Sequence, residues 1–329
     1  MSRVKSAFKA MVVLMTIWAV VILPLGPGCG PAKESRVVRI GYLRNDLHQL
    51  AFYAAREKGF FTDEGLDVRE GGVFNAGPEE MSAFGAGQLD MGLAGIAPIL
   101  TFASQDMADI SVVAQANEVG SAVVVRAGLE CEDLADLKGR TVAVPGYSTV
   151  QDFLLRLAMK RYRLNDGDLR ITTLKPPEMV PALAASHIDA FIAWEPYPSV
   201  AVSQKAGRII LKSSVIWPDH PCCMLVADRG FVQRNPETVR KVVRAHIRAT
   251  EYINRNPLEA VDMGAMFTGQ EREVVREALK NIKFRHIPEL KEMKKYARFL
   301  SEQGILKDKD PEGLIEHLVD ARYITGGGD

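Results

Sequence analysis

Four short stretches carry side chains suited to chemistry. Val144-Pro145-Gly146-Tyr147-Ser148-Thr149-Val150-Gln151 joins a β-branched run to a helical pattern. Ser148 with Gln151 three residues on fits a capping box, in which the hydroxyl accepts from an orphan first-turn amide. A helix start outside the carboxyl end of a parallel strand also offers free amides and a positive dipole end to an anion. Tyr147, Ser148 and Thr149 are therefore candidates for an anion seat, although no Gly-x-x-x-x-Gly-Lys phosphate loop lies near them. Leu93-Ala94-Gly95-Ile96-Ala97-Pro98 is a second strand-to-helix passage, where Gly95 permits close backbone approach and Pro98 pre-sets the helix. It holds the place in the first half of the chain that Ser148 holds in the second, so the two turns can face each other across a cleft.

The third stretch is Ile192-Ala193-Trp194-Glu195-Pro196-Tyr197. Trp194 offers a flat apolar wall, and Glu195 an acceptor for an amine or amidine. Glu195 can equally cap the helix that begins at Pro196. The fourth is His220-Pro221-Cys222-Cys223. Zinc motifs space their cysteines by two or more residues, so the adjacent pair reads more simply as the buried start of a strand. No metal and no cofactor are expected, and a cleft-facing role is left to His220 or Cys222. None of the six histidines sits in a His-Glu-x-x-His pattern, and there is no Gly-x-Ser-x-Gly elbow. A dispersed carboxylate pair or triad stays open, since such residues meet only in space.

These stretches need a scaffold. The chain has 329 residues, 47% hydrophobic and 25% charged, which suits about two packed domains and excludes general disorder. Short β-branched runs alternate with longer helical ones. Val37–Tyr42, Leu66–Val68 and Asp90–Ala94 read as strands, separated by helices from about Leu47 to Lys58 and from Pro78 to Gly87. The series repeats: strands at 141–144, 169–174 and 188–193 enclose helices at 150–163 and 177–186. A β-α-β-α-β order implies a mainly parallel sheet with helical crossovers. Strands at 110–116 and 122–126, and again at 209–211 and 222–227, carry the chain between the two series. Two crossings without a long linker suggest hinged lobes. From Asn235 the chain turns helical, with a cap before Pro236 and further helices near 271–282, 289–303 and 312–321.

Arg3, Lys5 and Lys9 precede the apolar run Ala10–Leu25, the pattern of a secretory signal. The small residues before Cys29 resemble a bacterial lipobox, with Gly26 where that pattern prefers Leu. Residues 1–29 are thus expected to export the protein and Cys29 to carry a lipid anchor, with 30–36 as a tether. The rest of the chain has 38 basic and 41 acidic residues. A slightly acidic body lacks the basic face that nucleic acid requires. Cys131, Cys222 and Cys223 are too few for a disulfide framework.

Leu50-Ala51-Phe52-Tyr53-Ala54-Ala55-Arg56-Glu57-Lys58-Gly59-Phe60-Phe61 and Glu64-Gly65-Leu66-Asp67-Val68 resemble the opening of the nitrate/sulfonate/taurine class of ABC-transporter substrate-binding proteins. Gly87–Gly92, Gly95–Pro98, Asp136–Val144 and Ala190–Pro196 continue the likeness in order, over roughly residues 37–260. The resemblance implies an α/β, two-lobed periplasmic-binding-protein fold of the second type, each lobe a mainly parallel sheet flanked by helices. Lobe one would hold 37–118 with 222–329, lobe two 119–213, and 214–221 the return crossover. It further implies a monomeric, non-enzymatic protein in the periplasm or at the cell surface, delivering a small solute to a permease driven by a separate ATPase. Arg44-Asn45-Asp46, the Gly95-Ile96 turn, Tyr147-Ser148-Thr149 and Trp194-Glu195 would line its cleft. Ser148 and Thr149 would suit a sulfonate, and Glu195 an amine, as in taurine or an aminopyrimidine. An enzyme on the same fold, like a pyrimidine-precursor synthase, and a ligand-sensing receptor subunit are the alternatives.

Overall fold

The computed structural model describes residues 36–307 and 310–323; the expected signal segment, Cys29 and most of the tether lie outside them. Strand β1 (Arg36–Leu43) alternates, with Val38 and Ile40 buried and Val37 and Arg39 facing out. β2 (Leu66–Phe74), β3 (Met91–Gly95) and β4 (Ile110–Gln115) follow, the last two buried throughout. The chain then passes through the short β5 (Asn117–Val119) into β6 (Ser121–Arg126). β7 (Thr141–Val144), β8 (Arg170–Thr173), β9 (Ala190–Trp194) and β10 (Gly207–Lys212) complete a second series, and β11 (Cys223–Asp228) returns to the first. A last strand, β12 (Ile282–Phe284), lies far along the chain.

Two five-stranded sheets result, in the orders β2-β1-β3-β11-β4 and β10-β6-β9-β7-β8. In each, one strand that has just crossed over runs against its neighbours. β11 is antiparallel to β3 and β4, and β6 is antiparallel to β9 and β10. The remaining pairs, β1 with β2 and β3, and β7 with β8 and β9, are parallel. The mixed α/β architecture expected from the alternation is the one observed.

The crossovers lie side by side. Val119 N donates to His220 O (3.0 Å) and Cys222 N to Asn117 O (3.1 Å), while Glu118 bridges to Pro221. β12 pairs antiparallel with β5 along the other edge, where the sequence pattern suggested a helix running on to 282. That helix ends at Leu279, and another, Pro257–Thr268, occupies a stretch left without an element. The twenty-residue helix Pro236–Arg255 buries Val239, Val242, Val243, His246, Ala249 and Ile253 along one face. Pro236 starts it, but the Asn235 side chain makes no capping hydrogen bond. Among the described residues no helix is long and apolar enough to cross a membrane.

Candidate functional site

A pocket lies where the carboxyl ends of the two sheets approach each other. Leu43, Asp46, His48, Gly77, Gly95, Pro98, Cys222 and Cys223 come from the first-sheet side, and Thr149, Val150, Gln151 and Trp194 from the second. It encloses about 280 Å³, of which about 10 Å³ has room for water-sized occupants. That is space for roughly one water, so the two walls are closed on each other. Gly95 shows how tightly: a Cβ there would stand 2.8 Å from Val150 Cγ2, across the gap.

The second-sheet wall is neutral. Its helix, Val150–Arg161, is capped by Thr149, whose Oγ1 accepts from Asp152 N (3.2 Å), while Ser148 N donates to Asp152 Oδ2 (3.1 Å). The hydroxyl cap therefore sits one residue later than the sequence spacing of Ser148 and Gln151 indicates, without the reciprocal bond of a capping box. Asp152, held by Arg156, accepts from the amide of Ser148, the residue before the cap, and Ser148 takes a left-handed φ of 60°. Gln151 is freed from capping: its Nε2 donates to Ser121 Oγ (3.0 Å) and fixes the helix start against β6. First-turn amides of such a helix have no intrahelical acceptor and point into the pocket's edge. Trp194 closes this wall, and its buried Nε1–H has no hydrogen-bond partner among the described residues.

The first-sheet wall is ionisable. After β1 the chain makes a 3-10 turn, Leu47–Gln49, before the helix Leu50–Glu57, because Asp46 Oδ1 caps His48 N at 2.9 Å. Gln49 ties the ends of β1 and β3 together, accepting from Leu43 N and donating to Leu93 O, both at 2.8 Å. His48 is thereby turned inward, with Nε2 2.9 Å from Gly120 O. That carbonyl requires a proton on Nε2, so Nδ1 faces the thiols, 3.4 Å from Cys222 Sγ and 3.9 Å from Cys223 Sγ. Only glycine fits opposite: Gly120 has φ 96°, and a Cβ would come within 2.3 Å of His48 Nε2.

Charge follows from these contacts. Burial opposes a cation at His48, yet the Asp46 carboxylate and Cys222 outweigh it and push its pKa up to about 9. The Cys222 thiol is drawn well below its ordinary value by a hydrogen bond from Cys223 and by His48, while Cys223, as the donor, is raised. Burial lifts Asp46 to about 7. The imidazole is thus biased toward its cation and the Cys222 thiol toward its thiolate. Behind the wall, Glu80 is wholly buried with neither side-chain oxygen hydrogen-bonded among the described residues, and burial pushes its pKa well above the ordinary carboxylate value.

Of the residues marked by the sequence, Gly95, Thr149, Trp194 and Cys222 lie on the pocket wall. Ile96 is buried beneath it, its amide donating to Cys222 O (2.8 Å). Tyr147 is 57% exposed outside. Arg44 and Asn45 line a separate depression with Glu70 and Arg56, so within their loop only Asp46 reaches the pocket. Glu195 points away, as consecutive residues at a strand end do. Its Oε2 accepts from Ser199 N (3.2 Å) and its Oε1 from Asn281 Nδ2 (2.7 Å), which makes it a cap and a tie. Burial raises it to about 7. His220 is buried in the crossover with Nε2 unpartnered among the described residues, and burial lowers its pKa. Leu43, His48, Gly77 and Cys223 are pocket residues that spacing did not mark, and of these His48 and Cys223 carry ionisable groups. Their sequence signal is weak: one histidine in an otherwise apolar helix face, and the second of two adjacent thiols. Although the two cysteines are adjacent, both thiols lie near His48 Nδ1, and Asn117 holds both amides: its carbonyl accepts from Cys222 N and its Oδ1 from Cys223 N, each at 3.1 Å.

Paired α/β sheets with facing helix starts and two adjacent crossovers define the periplasmic-binding-protein fold. Residues 31–265 match the model of the NMT1-like family, and the chain belongs to that family. It is similar to the taurine-binding periplasmic protein of Escherichia coli, 28% identical over 230 residues that cover 69% of this chain and 70% of that one. Among solved structures, the nitrate-binding protein NrtA from Synechocystis shares the fold with a TM-score of 0.79 at 16% identity, covering 88% of this chain and 87% of that one. The alkanesulfonate-binding protein SsuA from Xanthomonas axonopodis, bound to MOPS, has a TM-score of 0.76 at 20% identity, covering 88% and 99%.

Proposed function

We propose that this protein is the exported solute-binding component of an ABC importer, taking a small sulfonate, with or without an amine, into the pocket between its sheets. The observation that carries the solute class is the unpartnered, buried Trp194 Nε1–H beside the start of the helix Val150–Arg161. A sulfonate oxygen would accept from both. The amine-binding role assigned to Glu195 from sequence passes to Asp46, which lines the pocket and keeps free lone pairs. Taurine complements that pair, anion to the neutral wall and ammonium to the ionisable one. The likeness to the taurine-binding protein of Escherichia coli supports this reading.

Lobe one comprises 37–118 with 222–329 and lobe two 119–213, opening about the adjacent crossovers to admit the solute. A permease with its ATPase receives the cargo, the protein acts as a monomer, and lipid on Cys29 holds it at the membrane. The buried His48–Cys222 pair favours one second reading, an enzyme on the same fold, which product formation from a bound aminopyrimidine would reveal. The test is a thermal-shift screen of refolded protein with taurine, alkylsulfonates, nitrate and aminopyrimidines. A ligand at a hundred times its dissociation constant adds ~2.7 kcal/mol, a shift of several degrees. Taurine or an alkylsulfonate is expected to give it; no shift with any sulfonate overturns the solute class.

A further inference from the structure

We propose that His48 Nδ1, Cys222 Sγ and Cys223 Sγ bind one soft, closed-shell metal ion, Cu(I) or Zn(II), at the hinge end of the pocket. The three atoms form a triangle with sides of 3.4, 3.9 and 4.0 Å. Its centre is about 2.2 Å from each corner, close to the ~2.3 Å and ~2.0–2.1 Å of metal–thiolate and metal–imidazole bonds. All three residues are buried, and no other His, Cys, Asp or Glu group of this kind occurs among the described residues.

The surroundings are arranged as a ligand set requires. Gly120 O holds the proton on Nε2, the outer-shell contact that metal-bound histidines carry, so the proton a metal would displace is the one on Nδ1. Adjacent residues within a strand point to opposite faces, but Cys222 precedes β11. Asn117 holds both cysteine amides, and the two thiols fall on one side, unbridged. Two sulfurs and one imidazole are donors that select Cu(I) or Zn(II) over Mg or Ca. Three donors complete a trigonal Cu(I) centre. For Zn(II) they leave a fourth position facing the pocket, where a water or a solute atom can sit. Binding releases the thiol and imidazole protons to solvent and replaces the Cys223–Cys222 and Cys222–His48 hydrogen bonds with bonds to the metal; no other covalent bond of the protein breaks. The site does not depend on which solute the pocket takes.

The test uses the mature protein, reduced under anaerobic conditions and without solute. Cu(I) and Zn(II) are offered in separate arms against a chromophoric chelator, and retained metal is counted by mass spectrometry. One ion per chain is expected in at least one arm, and the arm that retains it names the metal. X-ray absorption of that sample is expected to show two sulfurs and one nitrogen, a readout that needs no variant. Cys222→Ser and Cys223→Ser are each expected to lose more than nine-tenths of the metal. Cys131→Ser, whose Sγ lies 3.2 Å from Asp133 O in another region, keeps it. No ion retained in either arm, a shell without sulfur, or full retention by folded Cys222→Ser overturns the proposal.

Discussion

Two histidines in this protein are buried to nearly the same degree, His48 at 0% and His246 at 3% exposure, and they carry opposite charge states. His246, on the inner face of the helix Pro236–Arg255, meets one neutral partner, Gln115 O at 2.8 Å, and burial drives its pKa down to about 4. His48 meets the same kind of carbonyl at Gly120, but a carboxylate and two thiols surround its other nitrogen, and it rises to about 9. Burial alone thus decides nothing about charge. What distinguishes the pocket from the core behind it is a second set of polar neighbours, Asp46 from the loop after β1 and the two thiols brought in by the return crossover.

The largest way to break that distinction is at the glycine that seats His48. Gly120→Ala adds a Cβ 2.3 Å from His48 Nε2 at a backbone φ of 96°. Left-handed strain and overpacking together should cost about 4 kcal/mol. Urea unfolding should show the loss, and a midpoint within error of the wild type would mean that His48 is not anchored there. His246 gives the next largest effect. Its pKa is about 6.5 unfolded and about 4 folded, so between those values the unfolded chain binds more protons. The stability it contributes is complete above pH 6.5 and is lost as pH falls toward 4, by about 3 kcal/mol. A His246→Gln variant should lack that part of the acid slope, and an identical slope would assign acid sensitivity to other groups.

The same contrast explains what could be read from the sequence. The elements were legible because their signals are local: apolar runs for β3 and β9 and at the centre of β6, and Pro at the starts of the helices Gly77–Gly85, Pro176–Ala184 and Pro236–Arg255. The helix starts on both walls were legible for the same reason, since a strand followed by Gly95 or Thr149 and a helix announces a helix start wherever it occurs. The ionisable wall was not. His48 and Cys222 are 174 positions apart, and both look like core residues in their own segments. Thr149 and Ser148 show a finer limit: two hydroxyls in a row each satisfy the capping pattern, and the acid at Asp152 decides which one caps.

For the solute, the neutral wall should matter more than the residue beside it. Trp194→Phe keeps an aromatic wall but removes the unpartnered indole N–H. It should weaken sulfonate binding about tenfold, or ~1.4 kcal/mol, with little change in stability. Equal affinity by calorimetry would place the sulfonate elsewhere. Asp46→Asn should weaken taurine more than an alkylsulfonate of the same length, because only taurine carries the ammonium. Equal losses would return the amine to another residue.

Glu195→Gln separates the two carboxylates. Glu195 is adjacent to Trp194 in sequence but gives its oxygens to Ser199 N and Asn281 Nδ2, and it does not line the pocket wall. The substitution should leave taurine affinity within about twofold, below ~0.4 kcal/mol. Its effect belongs to stability: the folded carboxyl is raised to about 7, so wild-type Glu195 holds a proton that the unfolded chain has released between pH 4.5 and 7. Stability from this group therefore falls as pH rises through that window, and Glu195→Gln should flatten the fall. A taurine affinity that drops tenfold while the pH profile stays unchanged would restore Glu195 to the site and remove Asp46 from it.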